Sequence, residues 1–185
     1  KKKYKIQNIY KNYKLMLSDE KIDAFILLVS AENINKNLLD LIKNKKPFLT
    51  EKPITLNNSK THIILNELNK YNTKNMVAMN RRYYSIFLKG LEILNKKGKI
   101  LGISIEGHER FYNINIKDYN SKVYNNWIYA NSCHTIDLLR FFSGEIKDIV
   151  SYSSNYKKKK SNFSANILFK NGIIGNYTSF WNSPG

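Results

Sequence analysis

The sequence predicts an α/β half followed by an α+β half. Three observations carry that expectation. The run IDAFILLVS, residues 22–30, is apolar without alternation, as in a strand buried on both faces. Up to Asn80 such runs take turns with amphipathic segments, the order of a parallel sheet with crossover helices. Beyond Asn80 the apolar segments lengthen and alternate with period two, as antiparallel strands do.

Each element has its own signal. NINKNLLDLIKNKK, residues 33–46, sets Ile34, Leu38, Leu41 and Ile42 at helical spacing. PFLT, residues 47–50, reads as a second strand with Glu51-Lys52-Pro53 at its carboxyl end. NNSKTHIILNELNKYN predicts a helix with Ile63, Ile64 and Leu68 on one face, and NMVAM, residues 75–79, a third strand. A helix is expected over 84–95, then one long strand over KILGISIEGHERFY, residues 99–112. YANSCHTIDLLRFFSG reads as a helix with Ile136, Leu139 and Phe142 on one side and Gly144 as its stop.

Three strands follow: IKDIVSYSSNY, NFSANILFK and IIGNYTSFW, the last two joined by the hairpin signal Asn171-Gly172. In NFSANILFK, Phe163, Ala165, Ile167 and Phe169 point one way and Ser164, Asn166 and Leu168 the other. One face is expected to cover the preceding helix, the other to be semi-polar with aromatics such as Tyr177. The domain boundary falls at 80/81: residues 1–80 and residues 81–185.

The chain has 185 residues, 42% of them hydrophobic, enough for a sizeable core. No apolar run is long enough to span a bilayer, and Lys1–Lys3 are followed by a polar stretch rather than a signal-peptide core. A single cysteine, Cys133, excludes an internal disulfide and fits a reducing, cytoplasmic setting. The formal charge is +17, but the lysines are spread along the chain among many asparagines. The dense run Lys157–Lys160 reads as a solvated hairpin loop, so neither nucleic acid nor membrane is expected as a partner. His62, His108 and His134 show no metal-ligand spacing with Cys or carboxylates, and no metal is expected.

Ligands of an open parallel sheet bind outside the carboxyl ends of its strands, where Lys52 is predicted to lie. Pro53 fixes its own φ and restricts Lys52 to extended conformations. An ammonium there can donate to a substrate hydroxyl or a cofactor carboxamide, with Glu51 as its neighbour; a surface turn with two solvated charges would show the same tripeptide. His134 can exchange a proton with an alcohol near neutral pH, or simply be satisfied in a packing interface. Asn131 and Asp137, three residues on either side, share its helix face.

The segment KIDAFILLVSAENINKNLLDLIKNKKPFLTEKPITLN resembles the middle of the dinucleotide-binding domain of the glucose–fructose oxidoreductase and inositol dehydrogenase family, Gfo/Idh/MocA. NSCHTIDLLRFFSGEIKDIV resembles the family's helix with a catalytic histidine, and NRRYY its crossing into the second domain. The resemblance implies a partial Rossmann-like parallel sheet, then a predominantly antiparallel open sheet with a packed helix. It implies an oxidoreductase using NAD or NADP on a sugar, polyol or nucleotide sugar. Lys52 and His134 would be catalytic. Ser30, Ala31, Asn33, Glu51, Lys52, Pro53, Asn80 and Arg81 would meet the cofactor. Lys52, Trp127, Asn131 and His134 would meet the substrate. The outer sheet face would form a homo-oligomer contact.

This sequence also departs from the family. Ala130 stands where many members carry aspartate, Ala31 where proline is common and Asn35 where histidine is common. The first glycine is Gly90, so the glycine-rich loop that cradles pyrophosphate has no counterpart. The chain therefore reads as an internal fragment of an oxidoreductase about twice as long. Taken alone it is expected to be inactive and to bind NAD(P)H poorly. A non-catalytic relative serving ligand binding or oligomerisation is the second reading, and a basic nucleic-acid-binding domain the third.

Overall fold

The computed structural model describes Tyr4, Ile6, residues 8–156 and residues 159–183. The chain divides into two compact units, Lys1–Ala78 and Met79–Gly185.

The first unit runs α1 (Tyr13–Leu17), β1 (Phe25–Leu27), α2 (Ala31–Asn44), β2 (Phe48–Thr50), α3 (Asn58–Tyr71) and β3 (Asn75–Val77). The strands pair in the order β1-β2-β3, all parallel. The four apolar residues expected on α2 are its buried ones, and they pack with Phe25, Phe48 and Ile64. Ile63 does not join them. It is 53% exposed beside a fully buried Ile64, because neighbouring helical residues point about 100° apart. Nor is the apolar run 22–30 buried on both faces: β1 has three residues, and Ile26 and Leu28 are exposed. The helices α2 and α3 share one apolar cluster with the Phe25–Phe48 face, while Ile26 and Met76 lie on the opposite face.

The helices of this unit end as their chemistry dictates. Asn57 caps α3 by accepting from the amides of Ser59 and Lys60. Lys45 and Asn72 close α2 and α3 in the left-handed region, at φ 65° and 49°.

The second unit holds a 3-10 turn (Asn80–Tyr83), α4 (Ser85–Lys97), β4 (Gly102–Glu106), α5 (Ser121–Asn125), a π-helical turn (Ile128–Ser132) and α6 (Cys133–Ser143). It closes with β5 (Ile146–Tyr156), β6 (Lys159–Phe169) and β7 (Ile174–Phe180). The sheet order is β4-β7-β6-β5; β4 runs parallel to β7 and the other pairs are antiparallel. Of the lysine run expected as the β5–β6 loop, Lys157 and Lys158 lie outside the described residues, as do Lys1–Lys3, whereas Lys159 and Lys160 begin β6 rather than a loop.

The long strand expected over 99–112 stops after five residues. At Gly107 a Cβ would come within 2.8 Å of Thr135 Oγ1 and Tyr177 Oη, so any other residue would force those side chains to shift. Beyond it Phe111 leaves the strand direction and joins Trp127 and Trp181 in a buried aromatic cluster. The inward face of β6 and β7 packs Ala165, Ile167, Phe169 and Tyr177 against Leu139 of α6, with Ser164, Asn166 and Leu168 exposed on the other face. Tyr177 therefore belongs to the inner face, not the outer. It is 5% exposed, and its hydroxyl lies 3.1 Å from Thr135 Oγ1, the partner a buried phenol requires. Among the described residues no helix is long and apolar enough to cross a membrane.

Candidate functional site

In the first unit the register brings the carboxyl ends of all three strands to one edge. Leu27, Thr50 and Val77 form one row. The ladder continues past it, with Glu51 N donating to Leu27 O at 3.1 Å and Ala78 N to Thr50 O at 2.8 Å. Two loops leave this edge side by side. One carries Ser30, Ala31 and Asn33 into α2, the other Glu51, Lys52 and Pro53. Ser30 is the N-cap residue of α2, and its Oγ accepts from Asn33 Nδ2 at 2.9 Å. Ala31 is half-buried and Asn33 exposed at the start of the same helix. The Glu51 carboxylate accepts from the Lys52 backbone amide at 3.1 Å. Lys52 is half-buried, Pro53 is buried, and the peptide between them is cis.

Asn80 and Arg81, expected beside the cofactor, lie in the 3-10 turn that opens the second unit; Asn80 is exposed and Arg81 half-buried. Lys52 and His134 thus fall in different units. The second unit gathers Trp127, Asn131 and His134 along one continuous helical stretch. Trp127 is 7% exposed and His134 8%, whereas Asn131 is half-buried. Ala130, in the position where the resemblance calls for aspartate, is 8% exposed and packed in the π-helical turn.

Two carboxylates hold this stretch in place. Glu109 takes three donors: Trp127 Nε1 and Asn131 Nδ2 on Oε2, the latter at 2.8 Å, and Ser132 Oγ on Oε1 at 2.8 Å. Asp137, one turn past His134, receives Arg82 as a fork, Nε at 2.6 Å and Nη2 at 2.5 Å. The same guanidinium sits 5.7 Å over the Phe141 ring. The bond to Asp137 holds the Arg82 pKa above its ordinary value. Asp137 shares the His134 face, as its spacing predicts, and it is occupied by an arginine.

Sequence reasoning missed Glu109, and it missed Arg82 as the partner of Asp137. The one available signal for Glu109 was the tryptophan: an indole N–H inside a core needs an acceptor, and acids are few in this chain. Among the described residues no group of three or more His, Cys, Asp or Glu could hold a metal ion.

A short parallel sheet with crossover helices and a mixed sheet with helices make a fold shared with solved NAD-binding oxidoreductases. An NAD-binding oxidoreductase of Klebsiella pneumoniae superposes with a TM-score of 0.79 at 15% identity, over 95% of this chain and 52% of that one. A levoglucosan dehydrogenase solved with NADH and L-sorbose gives 0.78 at 15% identity, over 95% and 52%. A myo-inositol dehydrogenase of Corynebacterium glutamicum gives 0.76 at 16%, over 93% and 54%. The resemblance read from the sequence is borne out in these neighbours. A curated relative, Oxidoreductase P35 of Formosa agariphila, is 24% identical over 189 aligned residues, 96% of this chain and 58% of its own length. The chain thus spans little more than half the length of the proteins it matches. No protein-family model matches the sequence.

Proposed function

We propose that this chain serves an NAD(P)-dependent oxidoreductase acting on a hydroxyl or carbonyl of a sugar, polyol or nucleotide sugar. The observation that carries the reading is Lys52, two residues beyond the central strand of a parallel sheet, at the edge where such sheets bind ligands. Lys52 orients the substrate and stabilises developing charge, and His134 exchanges the proton of the reacting hydroxyl. The nicotinamide supplies or takes the hydride. Ser30, Ala31, Asn33, Glu51, Pro53, Asn80 and Arg81 are the residues proposed to meet the cofactor. The levoglucosan dehydrogenase solved with NADH and L-sorbose supports the cofactor and substrate class.

The reading includes two domains, residues 1–80 for the cofactor and 81–185 for substrate and oligomer contacts, in a cytoplasmic protein. Self-association would use the outer face of the second sheet, where Val150, Tyr152 and Ile174 are exposed. The glycine-rich phosphate loop has no counterpart here, so the 185 residues alone should show no saturable NADH binding in a fluorescence titration. In the full-length protein, Lys52→Ala and His134→Ala should each lower kcat for polyol oxidation by roughly 100-fold or more. Turnover indifferent to both changes would overturn the reading. Ala130 favours a second reading, a relative that binds ligand without turning it over. NADH and polyol binding with no turnover in the unaltered protein would select it.

A further inference from the structure

His134 follows a helical turn that is not α-helical. Ile128–Ser132 is wound as a π-helix, and the regular helix resumes at Cys133. The hydrogen bonds of a π-turn join residues five apart, so such residues lie nearly one above the other. In a regular α-helix, at about 100° per residue, they point about 140° apart. Single π-turns are rare and recur at functional sites.

Glu109 spans this turn from outside the helix. Its carboxylate accepts from Trp127 Nε1, one residue before the turn, from Asn131 Nδ2 within it at 2.8 Å, and from Ser132 Oγ at its end, also at 2.8 Å. Trp127 and Ser132 are five residues apart, so π winding is what turns both towards one carboxylate. Regular winding would swing the short Ser132 hydroxyl away and leave it, 1% exposed, to find another acceptor. Both flanks are fixed independently. The Glu109 segment is pinned to the end of β7, with Gly107 N donating to Thr178 O and Phe111 N to Trp181 O, each at 2.7 Å. Beyond the turn, α6 is held by Arg82 on Asp137 and by Leu139 in the core. Between these anchors lies the turn that carries Asn131.

We propose that Glu109 is a positioning residue: it keeps the turn before His134 π-wound and so fixes Asn131 relative to His134. The proposal rests on the functional reading above, in which Asn131 and His134 meet the substrate. In this role Glu109 acts through Asn131 rather than on the substrate. Its loss lets the turn rewind and displaces Asn131, while α6 keeps His134 in place.

The test is a double-mutant cycle in the full-length protein, with D-glucose, xylitol and myo-inositol as substrates and NAD or NADP as cofactor. Glu109→Gln keeps the shape but leaves one acceptor oxygen for three donors. It should lower kcat by roughly tenfold while the KM for the cofactor stays within about twofold. In an Asn131→Ala background the same change should lower kcat by less than about twofold, because the residue it positions is gone. Effects that multiply would mean that Glu109 acts independently of Asn131 and would overturn the proposal, as would an unchanged kcat in Glu109→Gln. If Glu109→Gln does not fold, Ser132→Ala, which removes one of the three donors, takes its place in the same cycle with an expected loss of roughly threefold. If the unaltered protein turns over none of the three substrates, the functional reading fails by itself, and the hold on the turn is decided by amide hydrogen exchange. The amides of residues 130–134 should then exchange roughly tenfold faster in Glu109→Gln, with those of β6 unchanged. Equal protection in the two proteins would overturn the proposal.

Discussion

The strand end that carries Lys52 and the helix that carries His134 are shaped by different kinds of hydrogen bond. Near Lys52 several side-chain bonds are local. Glu51 meets the next residue's amide, Ser30 meets Asn33, and Asn57 caps the helix that begins beside it. Around His134 they join residues far apart in sequence. Glu109 reaches Trp127, Asn131 and Ser132, Arg82 reaches Asp137 fifty-five positions on, and Ser179 Oγ donates to Gly107 O across seventy-two. The first site is placed by strand register and an apolar core. The second is placed by polar side chains that have few substitutes. A local bond costs little order to form; a distant one is made only after the fold has brought its partners together.

The largest effect should come from the core that sets the register of the first unit. Leu38 is 2% exposed and packs in the cluster under β1 and β2. Leu38→Ala should cost about 3 kcal/mol in denaturant unfolding, through lost burial and the cavity left behind. A loss below about 1 kcal/mol would mean that apolar packing does not hold this unit together, and the contrast between the units would fail.

Next comes the polar clamp of the second unit. Asp137→Ala leaves the Arg82 guanidinium without its fork and should cost about 2 kcal/mol. The figure is set below that of a fully buried pair because the Arg82 side chain is 35% exposed and water can take part of the load. Asp137→Asn, which keeps the shape and one acceptor, should recover part of the loss. If Asn behaves like Ala, charge rather than hydrogen-bond geometry holds the clamp.

This contrast also explains what could be read in advance. The buried positions of α2 follow from spacing alone, and the capped start of α3 from a short polar cluster, because periodicity and capping are local properties. The early end of β4 does not follow from its apolar alternation. Just past it Gly107 stands against Thr135 and Tyr177, residues twenty-eight and seventy positions later, a crowding that only the fold creates. Ile63 was misplaced for a simpler reason, since two adjacent isoleucines cannot share one helical face. Of the candidate site, Lys52 and His134 were visible as motif residues. Glu109 was not, since its three donors are assembled only by the fold.

A smaller effect is expected from the local bonds of the first unit. Asn57→Ala removes the oxygen that accepts from Ser59 N at 2.9 Å and Lys60 N at 3.4 Å. The loss should be about 1 kcal/mol, with Asn57→Asp close to neutral. A cost matching that of Asp137→Ala would erase the distinction between local and distant bonds.

The smallest effect belongs to the two tyrosines at the start of the first unit, where a distant bond occurs outside the site. Tyr10 donates to the Asp19 carboxylate, and Tyr13 donates to Asp40 Oδ2 at 2.5 Å, twenty-seven residues away. Each bond is made by the protonated phenol, so each raises the tyrosine pKa above its ordinary value of 10.0. The sign follows from linkage. A raised folded-state pKa gives stability that is complete below the unfolded value, near 10, and that is lost as the pH rises through the folded value. The first unit should therefore loosen on the alkaline side, not in acid, through these two groups. An ultraviolet titration should show Tyr10 and Tyr13 ionising above their ordinary value of 10.0. Asp40→Asn should return Tyr13 towards its ordinary value and leave Tyr10 raised; Asp19→Asn should do the reverse. If both substitutions leave the titration unchanged, the hydroxyl–carboxylate bonds do not form in solution.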